Sequence, residues 1–83
     1  MVIVYTKNKC SKCKATKMVL STLGVEVEYR NIDDNELYMT DILYIKENLA
    51  VQTLEMPVVM RDDNTIITTG FSPDALNKEF GNI

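Results

Sequence analysis

The chain carries only two cysteines, and their spacing and position limit the folds open to it. They stand in the run Cys10-Ser11-Lys12-Cys13, directly after the apolar stretch Val2-Ile3-Val4-Tyr5 and at the opening of a helical pattern. Thiols at this spacing sit one helical turn apart and can close a disulfide inside that turn. Where a strand feeds a helix, the first cysteine meets unpaired backbone N–H groups and the positive end of the helix dipole, both of which favour thiolate over thiol. A dithiol that trades electrons needs this setting, so Cys10 and Cys13 are the candidate catalytic pair. Cys10, where the chain enters the helix, is expected to be exposed and to attack; Cys13, a turn further in, is expected to resolve. An unperturbed thiol titrates near ~8.5, and a downward shift of about two units favours the thiolate by roughly 2.7 kcal/mol.

The elements around the pair follow from periodicity. Val2-Ile3-Val4-Tyr5 does not alternate, which suits a strand buried on both faces at the centre of a partly parallel sheet. From Ser11 to Leu23, Ala15, Met18, Val19 and Leu23 recur at helical spacing opposite Lys12, Lys14, Lys17 and Ser21, and Gly24 fits the left-handed residue that ends a helix. Val25, Val27 and Tyr29 alternate with Glu26, Glu28 and Arg30, the pattern of a half-exposed edge strand, parallel to the first by a right-handed crossover. Asp33, Asp34 and Asn35 offer caps for a second helix to about Leu49, with Tyr38, Ile42, Ile45 and Leu49 as its buried stripe, broadened by Leu37, Met39, Leu43 and Tyr44. The segment Asn48 to Met56 fits either an extra helical turn or a loop. Val58-Val59-Met60 and Thr65-Ile66-Ile67-Thr68 flank the polar turn Arg61-Asp62-Asp63-Asn64 and read as an antiparallel hairpin. Ser72 as cap, Pro73 at the first helical position, Asp74 after it and Phe71 able to staple Leu76 mark a last helix. The order is β-α-β-α-β-β-α, an α/β fold on a four-stranded mixed sheet.

With 83 residues, a single domain spanning 1–83 is expected, with room for one small site. No apolar stretch is long enough to span a bilayer, and the N-terminus lacks the pattern of a signal peptide, so the expected compartment is the cytoplasm. In a reducing cytosol a lone pair at this spacing is catalytic or metal-binding rather than a structural staple. Structural zinc takes four thiolate or imidazole ligands; two cysteines and no histidine cannot complete that shell. A zinc or iron–sulfur site shared between chains, or completed by glutathione, is the rival from a different class, and no metal is expected in the chain alone. The net charge of −3 is uneven: Lys7, Lys9, Lys12, Lys14 and Lys17 supply five of nine basic residues, with no acid from position 7 to 17. This collar is suited to stabilise a thiolate and steer an acidic partner surface; the plain alternative is a solvated helix face. A basic cluster this small in a chain of pI about 4.8, with no recognition motif, argues against nucleic acid. Tyr5, Phe71 and the methionines offer an apolar rim for a partner's peptide tail, or serve equally as core or ordinary surface.

Taken together, the strand, the Cys-x-x-Cys at a helix start, the second βα unit, the proline opening a hairpin and the short last helix resemble the thioredoxin fold in its minimal, glutaredoxin-like form, over nearly the whole chain. Tyr5-Thr6-Lys7-Asn8-Lys9-Cys10, Asn31-Ile32-Asp33, Met56-Pro57-Val58-Val59 and Gly70-Phe71-Ser72-Pro73-Asp74 are most similar to the NrdH-redoxins. That resemblance implies a monomeric dithiol–disulfide oxidoreductase with a redox-active Cys10–Cys13 disulfide and no bound cofactor. It implies reduction by thioredoxin reductase, with NADPH as the external electron source, and ribonucleotide reductase as the acceptor. It also implies a cis Met56–Pro57 bond, with the Met56 backbone pairing with an incoming peptide. With Lys7 and Lys12 of the collar and the bulky turn residue Phe71, the candidate partner-binding residues are Lys7, Lys12, Met56, Pro57, Gly70 and Phe71. The alternative is a glutathione-dependent dithiol glutaredoxin. In those proteins a Gly-Gly turn followed by acidic residues holds the γ-glutamyl end of glutathione; here Gly70 is followed by bulky Phe71, and Pro73 has no N–H to offer a carboxylate. The chain departs from the redoxin pattern in Lys12, where a Gln or similar residue is usual, in Ser72, where an Arg is usual, and in a longer segment between Asn31 and Pro57.

Overall fold

The computed structural model describes residues 1–81. Strand β1 (Val2–Thr6) leads through helix α1 (Ser11–Thr22) to β2 (Val27–Asn31), then through α2 (Glu36–Leu49) to the hairpin of β3 (Val58–Arg61) and β4 (Ile66–Thr69), and ends in α3 (Pro73–Phe80). The sheet order is β2-β1-β3-β4. β1 runs parallel to β2, with Val4 opposite Tyr29, and antiparallel to β3, with Tyr5 opposite Val58; β3 and β4 are antiparallel, with an irregularity between Val59 and Met60. The predicted element order and the edge position of β2 are both found, as is the minimal thioredoxin topology.

Because neighbouring residues of β1 point to opposite faces, this one strand serves two apolar layers. Val2 and Val4 join Leu20 of α1, Val59 and Leu76 of α3 on one face. Tyr5 joins Ile42 and Ile45 of α2, Val58 and Met60 on the other, with Ile3 packed against them, and this second layer also contains Cys10, Cys13 and Met56. The redox pair is therefore continuous with the core under α2.

Three sequence expectations are corrected. Helix α1 buries Cys13, Thr16 and Leu20, while Met18 is 71% exposed. The true inward face carries a cysteine and a threonine, so hydrophobicity placed that face partly on the wrong side; Ala15, Val19 and Leu23 flank it half-buried. Helix α2 buries Ile42 and Ile45 with Tyr38 half-buried, but Leu37 (71% exposed), Met39, Leu43 and Tyr44 do not broaden the stripe. At 100° per residue these positions turn away from the sheet. Leu49 is exposed too, lining an open cleft of about 300 Å³ between α2 and the hairpin rather than closing it. Lastly, the alternation of β2 breaks at its end: Tyr29 is exposed and Arg30 is half-buried. Arg30 turns in because its guanidinium binds the Tyr5 hydroxyl at 2.9 Å and lies over the Tyr38 ring.

The ends of the helices obey their chemistry. Asn35 caps α2 by accepting the Leu37 N–H at 2.9 Å, and Ala50, in the left-handed region, closes it. Segment 51–56 is thus a loop rather than a further helical turn. Ser72 caps α3 by accepting the Ala75 N–H at 3.3 Å, with Pro73 in the first turn.

Candidate functional site

Cys10 is the N-cap of α1, and its sulfur accepts the backbone N–H of Cys13 at 3.1 Å. This is one of the donors that the first turn of a helix leaves unpaired, so it stabilises negative charge on Cys10 when the pair is reduced. The two sulfurs meet as a disulfide, with Cα atoms 5.2 Å apart. Cys10 is 9% exposed and Cys13 4%. The expected exposure of Cys10 is therefore corrected: it belongs to the apolar layer that also holds Tyr5, Met56 and Val58, and it lines two clefts.

The loop that delivers Cys10 is braced by residues the sequence reading assigned elsewhere. The Asn8 N–H donates to the Asp33 carboxylate at 2.7 Å, and the Asn31 side-chain amide donates to the Asn8 side-chain oxygen at 2.9 Å. Asp33 was expected to cap α2; it ties the Cys10 loop to the end of β2 instead, a role its position beside Asn31-Ile32 does not advertise. Lys9, directly before Cys10, holds φ at 54°, an uncommon conformation for a residue with a side chain and a modest local strain at the site.

Behind this loop, the Tyr5 hydroxyl donates to Asp41 at 2.9 Å and accepts from Arg30, whose guanidinium also pairs with Glu28. Burial, then the bond to Asp41, raise the Tyr5 pKa, against the opposing pull of Arg30. Tyr5 is thereby a buried, tethered core residue and takes no part in an apolar rim. The Arg30–Tyr5–Asp41 network was not foreseen; its three members lie in three different elements, and no local pattern links them.

Of the remaining expected residues, Lys7, Lys12 and Met56 line the clefts at Cys10. The Met56–Pro57 peptide is cis. Met56 is buried in the layer of the cysteines, and Gly70 donates its N–H to the carbonyls of Glu55 at 3.1 Å and Pro57 at 2.8 Å, which joins the proline loop to the Gly70-Phe71 turn. Phe71 is 37% exposed. One cleft, of about 320 Å³, is lined by Lys7, Lys9, Cys10 and Lys12 together with Leu54, Glu55 and Met56. A second, of about 190 Å³, is bounded by Lys7, Lys9, Lys14 and Lys17 and reaches both cysteines. Gly70 and Phe71 line neither, so the structure brings Lys7, Lys12 and Met56 to the disulfide directly and the late turn only through Glu55 and Pro57. Among the described residues no group of three or more His, Cys, Asp or Glu side chains is placed to hold a metal ion, and no helix is long and apolar enough to cross a membrane.

Comparison with known proteins agrees with this geometry. The glutaredoxin family model matches residues 2–66. The glutaredoxin-like protein NrdH of Salmonella typhimurium is 33% identical over 78 residues, covering 93% of this chain and 85% of that protein. Among solved structures, the NrdH-redoxin of Escherichia coli, described as glutaredoxin-like with a thioredoxin-like activity profile, superposes with a TM-score of 0.66 at 28% identity, covering 93% of this chain and 91% of that one. A glutaredoxin from Methanosarcina mazei Go1 superposes with a TM-score of 0.74 at 26% identity, covering 98% of this chain and 78% of that one. With its Cys10–Cys13 disulfide at the start of α1, the chain belongs to the glutaredoxin family and, within it, to the NrdH-type thiol–disulfide oxidoreductases.

Proposed function

We propose that this protein is a monomeric cytoplasmic electron carrier, reduced by thioredoxin reductase at the expense of NADPH and oxidised by ribonucleotide reductase. The Cys10 thiolate attacks one sulfur of the target disulfide, and the other target sulfur leaves and takes a proton. Cys13 then loses its proton and attacks Cys10 in the mixed disulfide, which releases the second target thiol and leaves the Cys10–Cys13 disulfide. Two electrons pass to the target, two protons balance them, and the resolving step is intramolecular. During attack, the backbone of Met56 beside cis Pro57 is the edge an incoming peptide pairs with, Lys7 and Lys12 flank it, and Gly70 with Phe71 supports that loop and extends its surface.

The observation that carries the choice of reductant is the start of α3. Ser72 uses its hydroxyl on the Ala75 N–H, Pro73 has no N–H, and the exposed bulk of Phe71 stands where a small residue would leave room for a charged tripeptide end. A turn with one N–H committed to its own cap and another removed by proline is a poorer seat for a glutathione carboxylate.

The test is the rate of NADPH oxidation with a disulfide substrate, supplied in parallel with thioredoxin reductase or with glutathione and glutathione reductase. Turnover with thioredoxin reductase alone is expected. Turnover with the glutathione system alone overturns the reading and makes the chain a glutathione-dependent glutaredoxin. For the roles of the two sulfurs, Cys13→Ser is expected to accumulate mixed disulfides on non-reducing gels and Cys10→Ser to be inert. Full activity in Cys10→Ser refutes the assignment.

A further inference from the structure

All five lysines of the 7–17 segment are exposed, and among the described residues none pairs with a carboxylate: the ion pairs of the fold involve the N-terminus, Arg30 and Arg61. The two clefts meet at Cys10, Lys12 lining one, Lys14 and Lys17 the other, and Lys7 and Lys9 both. Positive charge therefore stands in both clefts at the reacting sulfur, and in the Lys12 cleft the lysines outnumber its one carboxylate, Glu55, three to one. Elsewhere the other four basic residues are set against twelve acidic ones. Solubility alone does not account for this segregation, because interspersed signs serve it as well and crowded like charges repel one another.

We infer that the disulfide this protein reduces lies in an acidic polypeptide segment with carboxylates on both sides of its reactive cysteine. The inference rests on the exchange reading above and deepens it. An extended segment crossing Cys10 puts residues into both clefts at once, so each set of lysines meets its own carboxylates. The exchange consumes the Cys10–Cys13 dithiol and the peptide disulfide and yields the Cys10–Cys13 disulfide and two peptide thiols. Unpaired charge in such a cleft acts chiefly on encounter, raising association rates by about 10- to 1,000-fold at low salt.

The test uses the full chain reduced with dithiothreitol and desalted, so that no reductase enters. Three synthetic peptides of equal length, each closed by one disulfide, carry Asp and Glu, neutral residues, or Lys on both sides of their cysteines, and stopped-flow follows their reduction. At about 10 mM ionic strength, where the screening length is near ~30 Å, the acidic peptide is expected to react at least ~10-fold faster than the basic one, with the neutral peptide between. At 1 M salt, where that length is about 3 Å, the ratio is expected to fall below about twofold. Lys12→Gln and Lys17→Gln, one from each cleft, should each lower the acidic-to-basic ratio, and the double variant should lower it further. The ratio is the proper readout because any change in the Cys10 thiolate fraction cancels from it. Equal low-salt rates for the three peptides, or a ratio that neither lysine variant moves, overturn the inference while leaving the exchange chemistry intact. Failure of all three to oxidise the reduced protein overturns the exchange reading itself and this inference with it.

Discussion

Two glycines with nearly the same backbone conformation offer a controlled test of how the proline loop is held. Gly24 has φ 71° and Gly70 φ 74°, so alanine at either bears the left-handed penalty of about 1–2 kcal/mol. A Cβ at Gly24 meets nothing within 4 Å. At Gly70 it would stand 3.3 Å from the Glu55 Cβ and overlap the Glu55 carboxylate. The carboxylate can swing away, but the Cβ moves only with its backbone, which Gly70 binds through its own N–H. Overpacking of this kind adds on the order of 1 kcal/mol. Gly24→Ala is therefore expected to cost about 1–2 kcal/mol and Gly70→Ala about 2–3, read from urea denaturation of the oxidised protein; in thermal unfolding each kcal/mol is worth roughly 4–8 °C. Because Glu55 precedes Met56, Gly70→Ala should also slow disulfide exchange, whereas Gly24→Ala should not. Equal stability losses together with equal exchange rates would refute the argument that the Gly70 turn positions the proline loop.

Tyr5→Phe removes a hydroxyl shared by Asp41 and Arg30 and is expected to cost about 1–3 kcal/mol in urea denaturation at pH 7; a loss below about 0.5 would show that the network is idle. The same hydroxyl has a raised pKa, so the folded state holds its proton longer than the unfolded chain does. Its contribution is fully present below the ordinary tyrosine value of about 10 and is lost as pH rises through the folded pKa, so stability should fall more steeply above pH ~10 in the parent than in Tyr5→Phe. Thr16 is fully buried in α1 with a hydroxyl that has no hydrogen-bond partner among the described residues. The near-isosteric Thr16→Val should stabilise the fold by about 1 kcal/mol, and a loss of similar size in thermal unfolding would mean the hydroxyl is satisfied in solution.

The order of elements, the edge position of β2 and the place of the dithiol were legible because each rests on local signals: the run of Val2 to Tyr5, the alternation of β2, the polar turn of the hairpin, the caps at Asn35 and Ser72. What sequence could not give was decided by contacts between distant segments. The inward face of α1 is Cys13, Thr16 and Leu20, and only the last of these looks like core. Helix α2 carries more apolar residues than its narrow contact with the sheet can cover, so a count of hydrophobics overstated its burial. Asp33 had two plausible neighbours, the helix after it and the Cys10 loop across from it, and only the fold decides between them. The cis peptide before Pro57 was reached through resemblance, since a proline at a strand start is ordinary.

The Cys10–Cys13 bond links residues only three apart, so it closes a very small ring. On the chain-entropy account such a ring restrains the unfolded chain by about 2 kcal/mol, against about 4.7 for a loop of a hundred residues. Structural staples gain from long loops; this bond joins nothing that the two apolar layers do not already hold together. On that account, opening and closing so small a ring makes little demand on the architecture around it. On the proposed reading, the direction of electron flow is then set by the relative potentials of donor and acceptor.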